Sequence, residues 1–158
     1  MEIKLVLWLP RDAVSVPVSR QVLDSCLETL GVMPDTRADI ALALSEACAN
    51  VILHAGPGEE YEVQVSTRDR RCVIEVVNTG SLDGELAPAA SIAGSFVADD
   101  PVPVTAEHGR GLQIIDAVAD NLELTSSDRR GTTVHFEKKL EWLPGAAGLY
   151  LFDVDGDG

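Results

Sequence analysis

The sequence predicts an α/β (α+β) two-layer sandwich, in which one mixed β-sheet carries helices on one of its faces. Three observations lead to this fold class. The N-terminal third contains an alternating strand pattern followed by two helical patterns. A pair of strand patterns comes next, and after a long irregular segment the chain continues with a helix and a final strand pair. With 158 residues, no internal repeat and no long linker, the chain is expected to form one domain.

The helices are predicted from apolar residues that recur at helical spacing. The first covers residues 16–30 and ends at Gly31, a candidate for the C-cap. The second opens at Pro34, has Thr36 and Asp39 at capping-box spacing, and continues to residue 55. A third helix is expected over residues 109–119, where a glycine-rich turn opens it.

Five segments have the alternation or the β-branched content of strands. Their predicted bounds are 3–9, 61–67, 71–78, 122–126 and 132–140. Residues 81–108 differ from the rest, because they contain three prolines, several small residues and little periodicity. Such a segment inside a compact domain is expected to be a functional lid or a disordered stretch. The tail, residues 141–158, is predicted to be irregular, acidic and solvated.

Composition narrows the classes of partner and the compartment. A net charge of −14 argues against nucleic acid, because neutralising phosphates requires a basic patch, but it is compatible with a basic protein surface. No run approaches the roughly 18 apolar residues of a membrane span. Only 4% of residues are aromatic, so Leu, Val, Ile and Ala are expected to build the core. Cys26, Cys48 and Cys72 lie in apolar runs without metal-ligand spacing, which predicts reduced core thiols in a cytoplasmic protein.

Glu46, Asn50 and His54 recur at every fourth residue of the second predicted helix. On a helix they fall within an arc of roughly 80°, while most other directions are apolar. Because a helix that is apolar all round is expected to be buried, this polar stripe is predicted to face a cavity. The small side chains of Ala43 and Ala47 would leave room beside it. An ordinary solvated helix edge is the alternative, but a mid-helix asparagine favours a site, since Asn is a poor helix former.

Three further segments are candidates for a ligand site. They are Asn78-Thr79-Gly80 at a strand end, Gly109-Arg110-Gly111-Leu112 at a helix start, and Gly131-Thr132-Thr133 at the start of the last strand. A glycine-rich turn that opens a helix presents unpaired N–H groups and the positive end of the helix dipole to phosphates. An arginine in that turn adds a charge-assisted donor. Each segment alone is also compatible with an ordinary structural turn or strand start.

The helix stripe suits the chemistry of a nucleotide as well. The side chain of Asn50 offers the hard oxygen that Mg²⁺ accepts alongside phosphates and water. One turn earlier, Glu46 could polarise a hydroxyl or a water aimed at a γ-phosphate. For His54 the alternatives are a phosphate contact and a histidine whose hydrogen bonds are satisfied at the helix end.

The order and spacing of these four segments resemble the GHKL (Bergerat-fold) ATPases, and among them the small anti-sigma-factor serine kinases that work by partner switching. The resemblance covers about residues 3–140. It implies a histidine-kinase-like ATPase domain over residues 1–140 with a lid at about 81–108. ATP and Mg²⁺ are the implied cofactors, with Glu46 as the general base and Asn50 as the magnesium ligand. The other nucleotide-binding positions would be His54, Asn78, Gly80, Gly109, Arg110, Gly111, Leu112, Thr132 and Thr133.

One departure from the family concerns the adenine. The family usually has Asp where this chain has Asn78, which keeps an acceptor oxygen but loses the charge. Two functions therefore stay open. The first is a kinase that phosphorylates a serine of an anti-sigma-factor antagonist and also holds a sigma factor. The second is a degenerate binding module with weak or no nucleotide binding. A histidine-kinase catalytic domain is disfavoured, since no helical hairpin with an acceptor histidine is recognisable.

The resemblance also implies a cytoplasmic homodimer that contacts its sigma factor through the N-terminal elements. Arg20 is a candidate for this contact, because it is expected to lie beside the apolar series Val18, Val22 and Cys26 rather than among other charges. The alternative for Arg20 is a solvated arginine whose stem covers apolar surface.

Overall fold

The computed structural model describes residues 2–54, 60–68, 70–78, 109–127 and 131–152. The strands are β1 (Ile3–Pro10), β2 (Glu60–Arg68), β3 (Arg71–Val77), β4 (Asn121–Ser127) and β5 (Gly131–Lys139). The helices are α1 (Ser15–Leu30), α2 (Pro34–His54), α3 (Gly109–Val118) and α4 (Ala147–Phe152). The predicted order of strands and helices up to β5 is confirmed. The expected lid lies outside the described residues.

The five strands form one sheet in the order β1-β2-β3-β5-β4. Neighbouring strands are antiparallel at all four pairings in the described ranges, so the expectation of a mixed sheet was wrong. The reason lies in the connection between β1 and β2. A crossover through one helix makes two strands parallel, whereas here α1 runs back along the sheet and α2 returns. β2 therefore starts where β1 ended, with Glu60 opposite Pro10.

The sheet has an inner face, covered by helices, and an outer face. The inner face carries alternate residues of three central strands, and these are buried: Tyr61, Val63, Val65, Cys72, Ile74, Val76, Val134 and Phe136. Side chains of α1, α2 and α3 complete this core, as the prediction of helices on one face requires. Tyr61 and Phe136 are the largest fully buried side chains, so the core is not built from aliphatic residues alone.

The ends of the first two helices follow different rules. Gly31 ends α1 at φ +85°, and its N–H donates to the carbonyl of Glu28, which confirms the predicted C-cap. α2 begins at Pro34, so Thr36 lies inside the first turn and the predicted capping box is wrong. Proline is favoured at the first helical position because it lacks an N–H that would be unpaired there. Asp39 pairs instead with Lys138, at 3.2 Å between Oδ2 and Nζ.

The segment after β5 corrects the prediction of an irregular tail. The N–H of Leu143 donates to the carbonyl of Gly31 at 2.8 Å, and Trp142 pairs with Val32 in an isolated β-bridge. Residues 147–152 then form α4, in which Gly148 is buried against the Trp142 ring so closely that a Cβ would collide with it. Apolar contact with α1 and the α1–α2 turn therefore orders this segment through residue 152.

The cysteines are only partly as expected. Cys48 and Cys72 are fully buried, and burial raises the pKa of Cys48 to about 11 and that of Cys72 to about 12. Both thiols are therefore protonated and unreactive at neutral pH. Cys26 is exposed on α1, so the prediction that it is a core thiol was wrong. Among the described helices, none has both the length and the apolarity that crossing a membrane requires.

Candidate functional site

Antiparallel pairing brings the candidate segments to one end of the sheet, which we call the site end. β3 finishes there at Val77, opposite Thr133 near the start of β5. Glu62 of β2 lies opposite Val77 of β3 on one side and opposite Trp8 of β1 on the other, so the end of β1 lies at the site end too. The C-terminal turn of α2 lies there as well, because Arg11, directly after β1, donates to two of its carbonyls.

The Glu46 carboxylate lies against the first turn of α3. A Cβ placed on Gly111 would be 2.8 Å from Oε2 of Glu46, so glycine at this position permits the close approach. α3 starts at Gly109, and the first N–H groups of a helix are unpaired and form the positive end of its dipole. From the sequence, Gly109 and Gly111 are expected to let a phosphate approach the backbone closely, and this stays a prediction. In the structure the group that approaches Gly111 is a carboxylate.

The surroundings of the polar stripe correct the prediction that α2 is buried all round. Leu42 and Leu53 are 43% and 74% exposed, whereas Ala43 and Ala47 belong to the fully buried core. Because successive residues of a helix are rotated by about 100°, Glu46 lies on the side of α2 that carries the exposed leucines. Asn50, four residues later, lies closer to the buried side of α2. Asn50 is only 6% exposed. The stripe thus lies on the border between the core and the edge of α2.

The glycine-rich turn divides its side chains between solvent and core. Arg110 is exposed, so its guanidinium can reach an anion in front of the turn. Leu112 is fully buried in the core, and its predicted role is therefore confined to its main-chain N–H. Asn78 follows β3 and is 3% exposed. Alternation along β3 places it on the inner face with Val76, under the helices.

One predicted position, Thr133, is not brought into this group by its side chain. Thr133 alternates with Val134 and Phe136, so its side chain lies on the outer face, away from α2. The side chains of His54 and Thr132 and the whole of Gly80 lie outside the described residues, and their roles stay predictions.

Arg20 is exposed on α1, as a contact residue must be. It does not lie beside Val18, however. Residues two positions apart in a helix are rotated by about 200° around its axis, so the side chains of Arg20 and Val18 point to opposite edges of α1.

Sequence reasoning missed Arg11. Its Nη2 donates to the carbonyl oxygens of Ile52 at 3.0 Å and Val51 at 3.4 Å. The residues that these contacts join are 41 and 40 positions apart in the sequence, and no local pattern indicates such contacts. Residue pairs of this kind become visible only in the folded chain.

Sequence reasoning also missed a cluster around His135 on the outer face. Its Nδ1 lies 2.8 Å from Oε1 of Glu75, its Nε2 lies 3.5 Å from Oε1 of Glu137, and Glu123 is its neighbour on β4. Burial lowers the pKa of His135, but the hydrogen bond to Glu75 and the three carboxylates together raise it above its ordinary value. The imidazolium form is therefore favoured in the folded protein.

The donor groups at the site end suit a magnesium nucleotide rather than a metal held by protein alone. Within the ranges that the structure describes, no group of three or more His, Cys, Asp or Glu side chains could hold a metal ion. Mg²⁺ typically takes one or two protein oxygens and completes its shell with phosphates and water. The amide oxygen of the nearly buried Asn50, one helical turn after Glu46, fits that pattern.

The fold and the site together define an α+β domain with a candidate phosphate site between two helices. The chain belongs to the histidine kinase-like ATPase domain family, whose sequence profile matches residues 9–138. The serine-protein kinase RsbW of Bacillus mycoides (strain KBAB4) is 25% identical to it over 140 residues, covering 87% of this chain and 86% of the relative. The serine-protein kinase RsbW of Bacillus cereus (strain G9842) is 26% identical over 141 residues with the same coverage. The resemblance predicted from the four segments is confirmed.

Proposed function

We propose that this chain is an ATP- and Mg²⁺-dependent serine protein kinase that also acts as an anti-sigma factor in a partner-switching system. Its protein substrate is then a serine of an anti-sigma-factor antagonist. The family match and the relatives named as serine-protein kinases support the proposal. The observation that carries it is the Glu46 carboxylate against the first turn of α3, with the nearly buried Asn50 one turn further along α2.

The candidate residues at the site end have different roles in this chemistry. Mg²⁺ bound with ATP would neutralise negative charge on the phosphates. Asn50 would hold that ion through its amide oxygen, while the N–H groups that open α3, together with Arg110, would bind phosphate oxygens. Asn78 would accept a hydrogen bond from the adenine amino group. Glu46 would then accept the proton of the attacking serine hydroxyl.

The partners in the proposal follow from the resemblance. This part of the proposal comprises a cytoplasmic homodimer, a sigma factor held through the N-terminal elements, and Arg20 as a contact residue. Arg20 is exposed on α1, and the net charge of −14 favours a basic protein surface over nucleic acid as the partner.

A second candidate function is a degenerate module that binds its partners with weak or no nucleotide binding. The specific observation in its favour is Asn78, which stands buried where the family usually has a charged acceptor. Calorimetric titration of the full chain with ATP, with and without Mg²⁺, separates the two candidates.

Substitution of Glu46 tests the kinase directly. We expect Glu46→Gln to lower phosphotransfer to a cognate antagonist by about 10²–10⁴-fold, because general-base contributions are typically of that size. ATP affinity should stay close to wild type, since Glu46 contacts the nucleophile rather than the nucleotide in the proposed arrangement. Radiolabel transfer measures the rate, and calorimetry the affinity. Glu141→Gln, at an exposed position after β5, is the matched control and should change neither. Transfer at the wild-type rate by the Glu46→Gln variant would show that Glu46 is not the base.

A further inference from the structure

Arg11 joins the end of β1 to the end of α2. The residue comes directly after β1 and is half-buried. Its Nη2 donates to the carbonyl oxygen of Ile52 at 3.0 Å, and a longer hydrogen bond of 3.4 Å reaches the carbonyl of Val51. One guanidinium therefore ties a strand at the edge of the sheet to main-chain groups of the helix that carries Glu46 and Asn50.

The two carbonyls that Arg11 binds belong to the last turn of α2. α2 ends at His54, and the last four carbonyl groups of a helix lack an N–H four residues further on. Val51 and Ile52 lie in this last turn. A cation at this position also interacts favourably with the negative end of the helix dipole. Arg11 thus stabilises the conformation of the last turn of α2.

Asn50 immediately precedes Val51, so its backbone belongs to the turn that Arg11 binds. Its side chain is 6% exposed, on the border between the core and the edge of α2. We propose that Arg11 is a positioning residue, which fixes this turn and thereby aims the amide oxygen of Asn50 at the Mg²⁺ of the bound nucleotide. The inference rests on the proposed function. Residues that orient a metal ligand typically change metal affinity by 10- to 100-fold when they are substituted.

The same helix offers a matched control at its other end. Nη1 of Arg37 donates to both carboxylate oxygens of Asp24 at 3.2 and 3.3 Å and so ties the first turn of α2 to α1. Like Arg11, Arg37 is partly buried and joins α2 to a neighbouring element. It lies 13 residues before Asn50, which is about 20 Å along the helix axis. A general loss of stability in α2 should therefore follow from either substitution, whereas an effect on Asn50 should follow only from substitution of Arg11.

The test compares three variants of the full chain: Arg11→Met, Arg11→Lys and Arg37→Met. ATP affinity is measured calorimetrically with and without Mg²⁺, and amide hydrogen exchange is followed in the protein without nucleotide. We expect Arg11→Met to weaken Mg²⁺-dependent ATP binding about tenfold, to leave Mg²⁺-free binding within about twofold, and to speed exchange in the last turn of α2. Arg11→Lys keeps a cation near the carbonyls and should recover part of the lost affinity. Arg37→Met should leave both affinities unchanged.

Three results would overturn the inference. If Arg11→Met binds Mg²⁺-ATP as tightly as wild type does, even with faster exchange, Arg11 is only a structural cap of the helix. Equal weakening with and without Mg²⁺, or the same effect in Arg37→Met, would show a general loss of helix stability. A wild-type chain that binds no ATP would refute the proposed function itself, and this outcome is distinct because it is seen before any variant is made. If Arg11→Met does not fold, the Arg11→Lys and wild-type titrations decide by the same Mg²⁺-dependent difference.

Discussion

Phe136 and Glu137 are neighbours on β5, yet the side chain of one is fully buried under the helices and that of the other is 27% exposed on the outer face. The same alternation holds along β2 and β3, so each strand supplies both faces. The inner face consists of tightly packed apolar side chains, while the outer face carries Glu75, His135 and Glu137 in ion pairs. Stability is therefore concentrated on one face, and the candidate site forms where that face admits the buried amides Asn50 and Asn78.

Replacing one residue on each face with alanine should show the difference in stability between the two faces most clearly. Phe136→Ala removes a fully buried ring and should lower the free energy of unfolding by about 3–5 kcal/mol. Glu137→Ala removes ion pairs that solvent screens, for which about 1 kcal/mol or less is expected. Urea unfolding of both variants measures the two values. Similar losses would mean that the outer face contributes to stability as much as the core does.

A charge introduced into the inner face at the site end should affect both ATP binding and the stability of the protein. If Asn78 accepts a hydrogen bond from adenine, Asn78→Asp should tighten ATP binding about tenfold, or about 1.4 kcal/mol. In the absence of nucleotide the same carboxylate is buried without adenine and should lower stability by about 1–3 kcal/mol. Calorimetry and urea unfolding report the two effects. Asn121→Asp, at an exposed position on β4, is the control and should leave ATP affinity unaltered. An unchanged or weaker affinity of Asn78→Asp would contradict adenine recognition at this position.

The smallest expected effect concerns the histidine cluster on the outer face. The pKa of His135 is raised in the folded protein, so folding favours the protonated form. Its contribution is fully present below the pKa of the unfolded chain and is lost as the pH rises through the folded-state pKa. We therefore expect the free energy of unfolding to fall as the pH rises from the ordinary histidine pKa through the raised folded-state pKa of His135. The fall should be smaller in His135→Gln, and also in Glu75→Gln, which removes the closest carboxylate. Identical pH profiles for wild type and His135→Gln would contradict this account.

Local patterns explain which features could be predicted from the sequence. Alternation and helical spacing placed the strands and the first three helices, and Gly31 marked the end of α1 because few residues other than glycine tolerate its positive φ. Glu46 and Asn50 were found because both lie on one helix, four residues apart. The position of Glu46 next to Gly111 on a different helix agrees with the family's order of segments.

Features that depend on contacts between distant residues could not be predicted. The direction of β2 relative to β1 follows from how two helices pack on the sheet, and the sequence pattern of a strand carries no direction. The outward orientation of Thr133 depends on the register of β5 with β3, in which a shift of one residue exchanges the two faces. The hydrogen bonds of Arg11 span about 40 residues and leave no local trace.

The hydrogen bonds between the α1–α2 turn and the segment after β5 have a consequence for synthesis of the chain. The carbonyl of Gly31 accepts from the N–H of Leu143, and the N–H of Met33 donates to the carbonyl of Glu141. About 110 residues separate these partners, and ribosomes add roughly 5–20 residues per second. The turn between the first two helices therefore waits on the order of ten seconds for its partners to be made. During that interval a nascent chain exposes apolar surface of α1, which is when chaperones or aggregation compete with folding.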